Sequence, residues 1–328
     1  MKIAVLGNGG FGTAMAVQQA LAGRRVALWG HDPDYTRQIA STRRNPRYLE
    51  GVPIPESVEI GVDFEAVLGG ADVVLMAIPT QHVRAAIAPM AHLLAARPAV
   101  SLAKGLEQGT GLRPTEVLLE LCPEVRALAL SGPSHGEELA LGQPTAVVLA
   151  GDDPSLLVDL QEGLSTRSLR IYRNRDVLGT ELCGALKNVM AIAAGIADGL
   201  GYGDNAKAAI LARGIVEMAR FGSAAGADAA TFQGLAGVGD LAVTAFSRHG
   251  RNRAFGERIG KGETLQAILA STRKVAEGVW TSRVVVARAA EMGVEMPIAA
   301  AVERVLFEGL PPDEAVRSLM ERDPKAET

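Results

Sequence analysis

The feature that most constrains this chain is a glycine loop close to its N-terminus. Residues 7–12 read GNGGFG, so Gly7, Gly9 and Gly12 form a G-x-G-x-x-G pattern between a β-branched run and an alanine-rich segment. The turn needs permissive dihedral angles, the second glycine lets a pyrophosphate approach the backbone, and the third lets the helix pack on the strand. The pattern predicts a helix N-terminus that binds a dinucleotide, with a plain tight turn as the alternative.

The remainder of the chain divides into two halves by pattern. The first half predicts strands joined by helices, at residues 3–6, 25–29, 72–78, 99–103, 127–130, 145–150 and 169–172. Helical periodicity then takes over, at residues 178–199, 206–225, 264–270, 281–292 and 298–307. We therefore predict an α/β fold, with an N-terminal doubly wound Rossmann-type sheet domain (1–176) and an all-α C-terminal domain (177–328), divided near residues 173–180.

Composition excludes several classes of protein. A net charge of -4 and a pI of about 5.8 leave no basic excess for nucleic acid. Cys122 and Cys183 lie far apart, which favours packed thiols over a disulfide or zinc framework. The sequence has no signal-peptide pattern, and apolar runs such as 189–197 have about half the length of a membrane span. His135 and His249 are not accompanied by other residues at metal-ligand spacing. We expect a cytoplasmic protein with no metal, no nucleic-acid partner and no membrane insertion.

The end of the second predicted strand bears on cofactor choice. NAD-specific folds place an acidic residue there, on the ribose hydroxyls. Asp32 stands before Pro33, which is the pattern of a helix N-cap followed by proline at the first helical position. That leaves His31, with Arg43 or Arg44 nearby, to accept a 2′-phosphate. We predict use of NADP with NAD tolerated; the alternative is that His31 is a solvated surface residue.

An ordered set of longer motifs resembles one family, the bacterial-type NAD(P)-dependent glycerol-3-phosphate dehydrogenases. The resemblance runs from the glycine loop almost to the C-terminus. It rests on AIPTQ (77–81), LAKGLE (102–107), SGPSHGEELALGQPTAVVLAG (131–151), ELCGALKNVMAIAAGIADGLGYGDNAKAAI (181–210), TFQGLAGVGDL (231–241) and GRNRAFG (250–256).

The resemblance implies reversible hydride transfer between NAD(P)H and dihydroxyacetone phosphate, which supplies sn-glycerol 3-phosphate for glycerophospholipid synthesis, by a homodimer. It makes Lys187 the proton acceptor. It implies substrate contacts from Lys104, Gly132, Ser134, Lys187, Asp240, Arg251 and Asn252. It implies cofactor contacts from Gly10, Phe11, His31, Tyr48, Lys104, Gly136, Arg251, Val275 and Glu277. Many relatives have serine where this chain has Gly250, so only the Gly250 N–H remains to contact a phosphate.

The residues themselves support a base at Lys187. Positions 182, 186, 189, 193 and 196 form one apolar helical face, and Gly184, Asn188, Ala191 and Gly195 form a second stripe of small residues. A lysine at the edge of these faces loses solvation, and a second cation at Lys104 lowers its pKa further. Asp240 would act in the opposite direction, so it either tunes the ammonium or only orients it. The alternative is a snorkelling surface lysine.

Three further segments complete the predicted site. Lys104 follows the strand at 99–103, at the edge where open α/β sheets bind ligands, and would polarise the C2 oxygen of a substrate. Residues 131–136 follow another strand and offer N–H and hydroxyl donors, or form only a structural turn. The basic cluster at 248–253 suits a phosphate, or is an exposed loop. The rival functions are a β-hydroxyacid or 6-phosphogluconate-type dehydrogenase, which would prefer a carboxylate substrate, and a catalytically silent nicotinamide-binding sensor.

Overall fold

The computed structural model describes residues 1–247, 250–272, 276–323 and 326, and the ten strands found there all precede residue 175. They are β1 (Lys2–Leu6), β2 (Arg25–Trp29), β3 (Arg44–Asn45), β4 (Leu49–Pro53), β5 (Val58–Gly61), β6 (Val73–Met76), β7 (Pro98–Ser101), β8 (Arg126–Ser131), β9 (Thr145–Ala150) and β10 (Leu169–Asn174). Eight form one sheet in the order β10-β9-β8-β7-β6-β1-β2-β5, and β3 pairs with β4 alone. The chain changes direction across the sheet between β1 and β6, where such folds bind ligands.

The sheet is largely parallel, as predicted. β9 pairs antiparallel to β8, and β10 pairs parallel to β9, so one edge of the sheet is reversed. All seven predicted strands are confirmed within a few residues. The short β3, β4 and β5 were not predicted. β5 contains Glu59 between two apolar residues and has only four positions, too few for a clear alternating pattern.

Helices cover both faces of the sheet, which confirms the doubly wound prediction. In β1, Ile3 and Val5 belong to the core cluster on one side of the sheet, which includes the helices at residues 10–21 and 154–164. Ala4 and Leu6 belong to the cluster on the other side, with the helices at residues 64–68, 80–87 and 114–121. The helices of this half are α1 (Gly10–Leu21), α2 (Pro33–Thr42), α3 (Phe64–Leu68), α4 (Thr80–Ile87), α5 (Pro114–Leu121), α6 (Gly136–Ala140) and α7 (Pro154–Leu164), with a 3-10 helix at Ala88–Leu94.

The second half is helical throughout its described residues. Its helices are α8 (Val177–Gly199), α9 (Asp204–Ala224), α10 (Ala229–Gln233), α11 (Asp240–Phe246), α12 (Arg251–Gly260), α13 (Leu265–Ser271), α14 (Glu277–Glu291), α15 (Pro297–Phe307) and α16 (Pro312–Met320), with a π-helical turn at Leu235–Gly239. By length and hydropathy alone α8 could cross a membrane, but 89% of its most apolar stretch is buried inside the protein. The helix α8 is therefore a core helix of this half.

The thiols of Cys122 and Cys183 are free and buried, which confirms the prediction that both are packed residues.

Glycines bring α8 and α12 into backbone contact. A Cβ added at Gly195 would lie 2.0 Å from the carbonyl oxygen of Arg253, and one at Gly199 would lie 2.3 Å from that of Glu257. From the other side, a Cβ at Gly256 would lie 2.1 Å from the carbonyl oxygen of Ile192. The close approach fixes the start of α12 against the middle of α8, and both segments contribute residues to the cleft described below.

We predict that Gly256→Ala destabilises the protein by about 2 kcal/mol or more, because over-packing outweighs the gain in helix propensity. Chemical denaturation would measure the free energy of unfolding. Gly203→Ala is the control, since a Cβ there meets nothing within 4 Å and the change should cost only the smaller free energy of replacing a glycine N-cap by alanine. Equal stability of the two variants would mean that the α8–α12 contact relaxes freely.

Candidate active site

A cleft opens at the carboxyl ends of β1 and β7 and is closed on the other side by α8, α11, α12 and α14. Its walls come from both halves of the chain. The lining residues are Gly10, Phe11, Tyr48, Leu102, Lys104, Ser134, His135, Gly136, Glu137, Lys187, Asn188, Asp240, Thr244, Gly250, Arg251, Asn252 and Glu277.

The glycine loop has the geometry that its sequence predicts. Gly7 has a φ of +113°, and a Cβ there would lie 2.6 Å from the carbonyl oxygen of Ala77. A Cβ at Gly12 would lie 2.0 Å from the carbonyl oxygen of Gly7, so the helix packs directly on the turn. Gly9 caps α1 and meets nothing within 4 Å of an added Cβ. An anion can therefore approach the backbone N–H groups at the start of α1.

A buried carboxylate joins two lysines at the floor of the cleft. Asp240 Oδ2 lies 2.5 Å from Lys104 Nζ, and Asp240 Oδ1 lies 3.2 Å from Lys187 Nζ. Lys187 Nζ also donates to the Thr244 hydroxyl at 2.7 Å, and Lys104 Nζ donates to the carbonyl oxygen of Gly132 at 2.9 Å. Only 8% of the Lys187 side chain and 2% of the Asp240 side chain are exposed. Both lysines are thus held by directed hydrogen bonds.

Burial sets the charge state of this cluster. It lowers the pKa of Lys187 to about 8, since the ammonium loses hydration; Asp240 opposes the change, whereas Lys104 and Arg251 add to it. Burial alone would disfavour ionised Asp240, but the two ammonium groups outweigh it and hold the pKa of this carboxyl below its usual range. The cluster therefore combines a fixed negative charge with a lysine that can lose its proton near neutral pH.

A chain of side-chain amides connects the four segments around the cluster. Asn188 Nδ2 donates to the carbonyl oxygen of Lys104 at 2.7 Å, and Asn252 Nδ2 donates to Asn188 Oδ1 at 2.9 Å. Asn252 Oδ1 in turn accepts from the Gly278 N–H at 3.0 Å. The amides of Asn188 and Asn252 together therefore link the loop after β7, α8, α12 and α14, and both residues line the cleft.

The loop after β8 contacts the glycine loop. Gly132 has a φ of +131°, and Ser134 Oγ donates to the carbonyl oxygen of Gly132 at 2.9 Å. A Cβ at Gly136 would lie 3.4 Å from the carbonyl oxygen of Gly10. The segment predicted to bind substrate therefore lies directly beside the segment predicted to bind the dinucleotide.

The structure corrects the expectation for Gly250. Its N–H donates to the carbonyl oxygen of Ser247 at 3.2 Å, so this amide is already engaged within the chain. A Cβ at Gly250 would lie 2.7 Å from the carbonyl oxygen of Thr244, a backbone approach too close for serine. Gly250 caps α12, and the exposed Arg251 begins that helix. His249 and Val275, with the rest of 248–249 and 273–275, lie outside the described residues.

The ribose end of the predicted cofactor site is also corrected. Asp32 caps α2 as predicted, accepting from the Asp34 and Tyr35 N–H groups, and exposed His31 precedes it. Arg43 does not point there: its guanidinium lies 3.0 Å from Glu56 Oε2 and donates to two carbonyl oxygens. Asp32 instead forms an ion pair with Arg47, at 3.7 Å.

Several lining residues were missed by sequence reasoning. Thr244 lies one helical turn after Asp240 on α11, and this i, i+4 spacing was a usable signal. Leu102, His135 and Glu137 gave no comparable signal, because their positions depend on how the loops fold. Across the described part of the chain, no group of three or more His, Cys, Asp or Glu side chains is placed to hold a metal ion.

The fold and cleft together define a Rossmann-type dehydrogenase with a helical second half. Two family profiles match the chain: the N-terminus of NAD-dependent glycerol-3-phosphate dehydrogenase over residues 2–157, and the C-terminus of the same family over residues 176–317. The chain belongs to the NAD-dependent glycerol-3-phosphate dehydrogenase family.

Relatives agree along the full length. A Chlorobium limicola protein named as an NAD(P)+ glycerol-3-phosphate dehydrogenase is 46% identical, with 100% of this chain and 99% of the relative covered. A Thiobacillus denitrificans protein of the same name is 46% identical over 100% of both chains. The crystal structure of glycerol-3-phosphate dehydrogenase from Coxiella burnetii superposes with a TM-score of 0.93 at 38% identity, covering 98% of this chain and 99% of that one.

We predict that Asn252→Ala destabilises the protein by about 1–3 kcal/mol, because it leaves the buried Gly278 N–H without its acceptor. Arg251→Ala, at the neighbouring exposed position, should leave the free energy of unfolding within about 0.5 kcal/mol of the parent. Denaturant unfolding compares the two. A fully stable Asn252→Ala would show that the amide chain has no structural role.

Proposed function

We propose that this protein transfers hydride between NAD(P)H and dihydroxyacetone phosphate, forming sn-glycerol 3-phosphate, and that it supplies glycerophospholipid synthesis. The observation that carries the proposal is the buried cluster in which Lys104 and Lys187 share Asp240, in a cleft lined by both the glycine loop and the start of α12. The family membership of the whole chain supports the same reaction.

The residues present fit a nicotinamide dinucleotide. Gly9 leaves the start of α1 open to a pyrophosphate, with Gly7, Gly10, Phe11 and Gly12 completing the turn. Further cofactor contacts are proposed for His31, Tyr48, Lys104, Gly136, Arg251 and Glu277, and also for Val275, which lies outside the described residues. When bound, the nicotinamide accepts or supplies the hydride.

The basic start of α12 suits the phosphate of the substrate. Arg251 is exposed, lines the cleft and can offer a fork of N–H donors, and the N-terminus of α12 adds a positive dipole end. Asn252 Nδ2 has a second hydrogen beyond the one it donates to Asn188. We assign the phosphate to Arg251 and Asn252, with Gly132 and Ser134 contacting the rest of the substrate.

Lys187 is the proposed proton carrier. In alcohol oxidation its neutral amine takes the proton of the C2 hydroxyl, and in ketone reduction its ammonium returns a proton to the C2 oxygen. A pKa of about 8 allows both protonation states near neutral pH. Lys104 lies across Asp240 from it and stabilises negative charge on the same oxygen as a fixed cation.

Asp240 both tunes and orients Lys187 in this proposal. Its charge raises the pKa of Lys187 and so limits the decrease that burial causes, although the effect of burial is the larger of the two. Its two oxygens separately hold the two ammonium groups, and Thr244 donates to Asp240 Oδ1 at 3.3 Å. Removing the carboxylate would therefore change the position and the basicity of the lysine together.

We also propose the division of labour between the two halves. Residues 1–176 form the dinucleotide-binding domain and residues 177–328 form the substrate-binding and dimerisation domain, and each domain adds contacts to the ligand of the other across the shared cleft. The cytoplasm is the proposed site of action, with a small-molecule phosphate as the partner and no nucleic acid or membrane insertion. The buried state of α8, the most apolar helix, supports the last point.

Dihydroxyacetone phosphate should cause rapid oxidation of NADPH or NADH by the purified protein, followed as loss of absorbance of the reduced nicotinamide. A 3-oxoacid in its place should give no comparable rate. Turnover with the 3-oxoacid alone would indicate a hydroxyacid dehydrogenase. Tight binding of either cofactor with no turnover on any substrate would indicate a sensor.

We predict that kcat/KM for sn-glycerol 3-phosphate oxidation rises with pH through an apparent pKa of about 8, because the acceptor must be the neutral amine of Lys187. Asp240→Asn should move this step to lower pH, since the carboxylate raises the pKa of Lys187. Lys187→Ala should abolish turnover with cofactor binding retained. Lys261→Ala, an exposed lysine on the surface, is the control and should leave the profile in place. An unchanged profile in Asp240→Asn would remove Lys187 as the titrating base.

A further inference from the structure

Arg47 lies at the ribose end of the cofactor site, although it is fifteen positions beyond Asp32 in the chain. Its Nη1 is 3.7 Å from Asp32 Oδ2, and its guanidinium sits 4.0 Å from the centre of the Tyr35 ring. Asp32 follows β2, the position from which Rossmann folds read the ribose hydroxyls. The charged end of Arg47 therefore faces the place where NAD and NADP differ.

Hydrogen bonds fix the Arg47 backbone relative to the glycine loop. Its N–H donates to the Tyr35 hydroxyl at 3.0 Å, and that hydroxyl donates to Asn45 Oδ1 at 2.5 Å. Asn45 Nδ2 donates to the carbonyl oxygen of Asn8, inside the loop, at 2.8 Å. The next residue, Tyr48, lies against the loop itself, because a Cβ at Gly10 would be 2.6 Å from its carbonyl oxygen.

The guanidinium itself can still move. Its pairing with Asp32 is long, and 45% of the Arg47 side chain and 42% of the Asp32 side chain are exposed. Exposed ion pairs of this kind contribute little to stability. A phosphate, by contrast, can receive two parallel N–H bonds from a guanidinium. The guanidinium of Arg47 should therefore exchange its contact with Asp32 for a contact with a phosphate when a phosphate is bound nearby.

We propose that Arg47 binds the 2′-phosphate of NADP(H), and that its ion pair with Asp32 lets the same site accept NAD(H). With NADP(H), the guanidinium turns from Asp32 to the phosphate. With NAD(H), it stays on Asp32, whose other oxygen keeps capping α2. The inference rests on the proposed function only in assuming that a dinucleotide lies on the glycine loop.

The other charged groups nearby do not fill this role equally. Arg43 is committed to Glu56 and to the carbonyl oxygens of Glu56 and Val58. His31 stands beside Asp32 and adds a second donor, but its ring cannot give the two parallel N–H bonds that a guanidinium gives to a phosphate. Arg47, by contrast, reaches the ribose end and has an exchangeable partner there in Asp32.

Isothermal titration with two fragments tests the proposal without turnover: 2′,5′-ADP, which contains the distinguishing phosphate, and 5′-AMP, which lacks it. Arg47→Gln keeps most of the side-chain length and removes the charge. It should weaken the binding of 2′,5′-ADP about tenfold or more, which is the loss expected when a charged hydrogen bond is removed. The affinity for 5′-AMP should stay within about twofold of the parent value. Arg47→Lys should retain part of the affinity for 2′,5′-ADP, because the lysine ammonium keeps the charge but not the planar fork of donors.

Arg37→Gln is the matched control, since it removes an equal charge from α2, where Arg37 pairs with Asp34 at 2.6 Å, and should change neither affinity. Equal weakening of both fragments by Arg47→Gln, or no weakening of 2′,5′-ADP, would overturn the proposal. Failure of the parent protein to bind either fragment would instead contradict the dinucleotide site. Parent turnover of dihydroxyacetone phosphate with NADH tests the proposed reaction separately, because that cofactor has no 2′-phosphate.

Discussion

The buried carboxylate of Asp240 is the interaction on which the site depends. A buried charge is tolerated only when it is paired, and Asp240 is paired twice, with Lys104 from the sheet half and with Lys187 from α8. The same contacts therefore satisfy the carboxylate, place both ammonium groups and join the two halves of the chain. Removing Asp240 would leave two neighbouring ammonium groups in the interior without their counter-charge, as well as damage the chemistry.

Close backbone packing keeps the remaining parts of the cleft in register. Glycines let α12 rest on α8, so Arg251 and Asn252 hold a fixed distance from Lys187, and the Asn188–Asn252 amide chain adds directed bonds to that contact. On the sheet side, Gly136 and Gly10 bring the two loops together in the same way. Small residues thus set the dimensions of the cleft, and larger polar residues supply its chemistry.

Sequence patterns predicted the frame and the central residues, since periodicity and local motifs report local structure. The seven main strands, the Asp32 cap and the apolar surroundings of Lys187 all follow from neighbours in the chain. The position of Arg47 and the use of the Gly250 N–H depend on loops folding back, which no spacing encodes. Proximity in sequence favoured Arg43 as a ligand of the 2′-phosphate. In the structure the Arg43 backbone is left-handed, and its side chain binds Glu56 instead.

The π-helical turn at Leu235–Gly239 leads directly into α11 at Asp240. A wider turn of this type is equivalent to one extra residue inserted in a helix, and it rotates everything that follows by about 100° about the axis. The direction in which Asp240 and Thr244 face therefore depends on the number of residues in the turn that precedes them. Length in this short segment is thus constrained as well as side-chain identity, which is fixed at Gly237 because a Cβ there would lie 2.0 Å from the carbonyl oxygen of Phe232. An insertion or deletion there would misplace the cleft residues while leaving every one of them in the sequence.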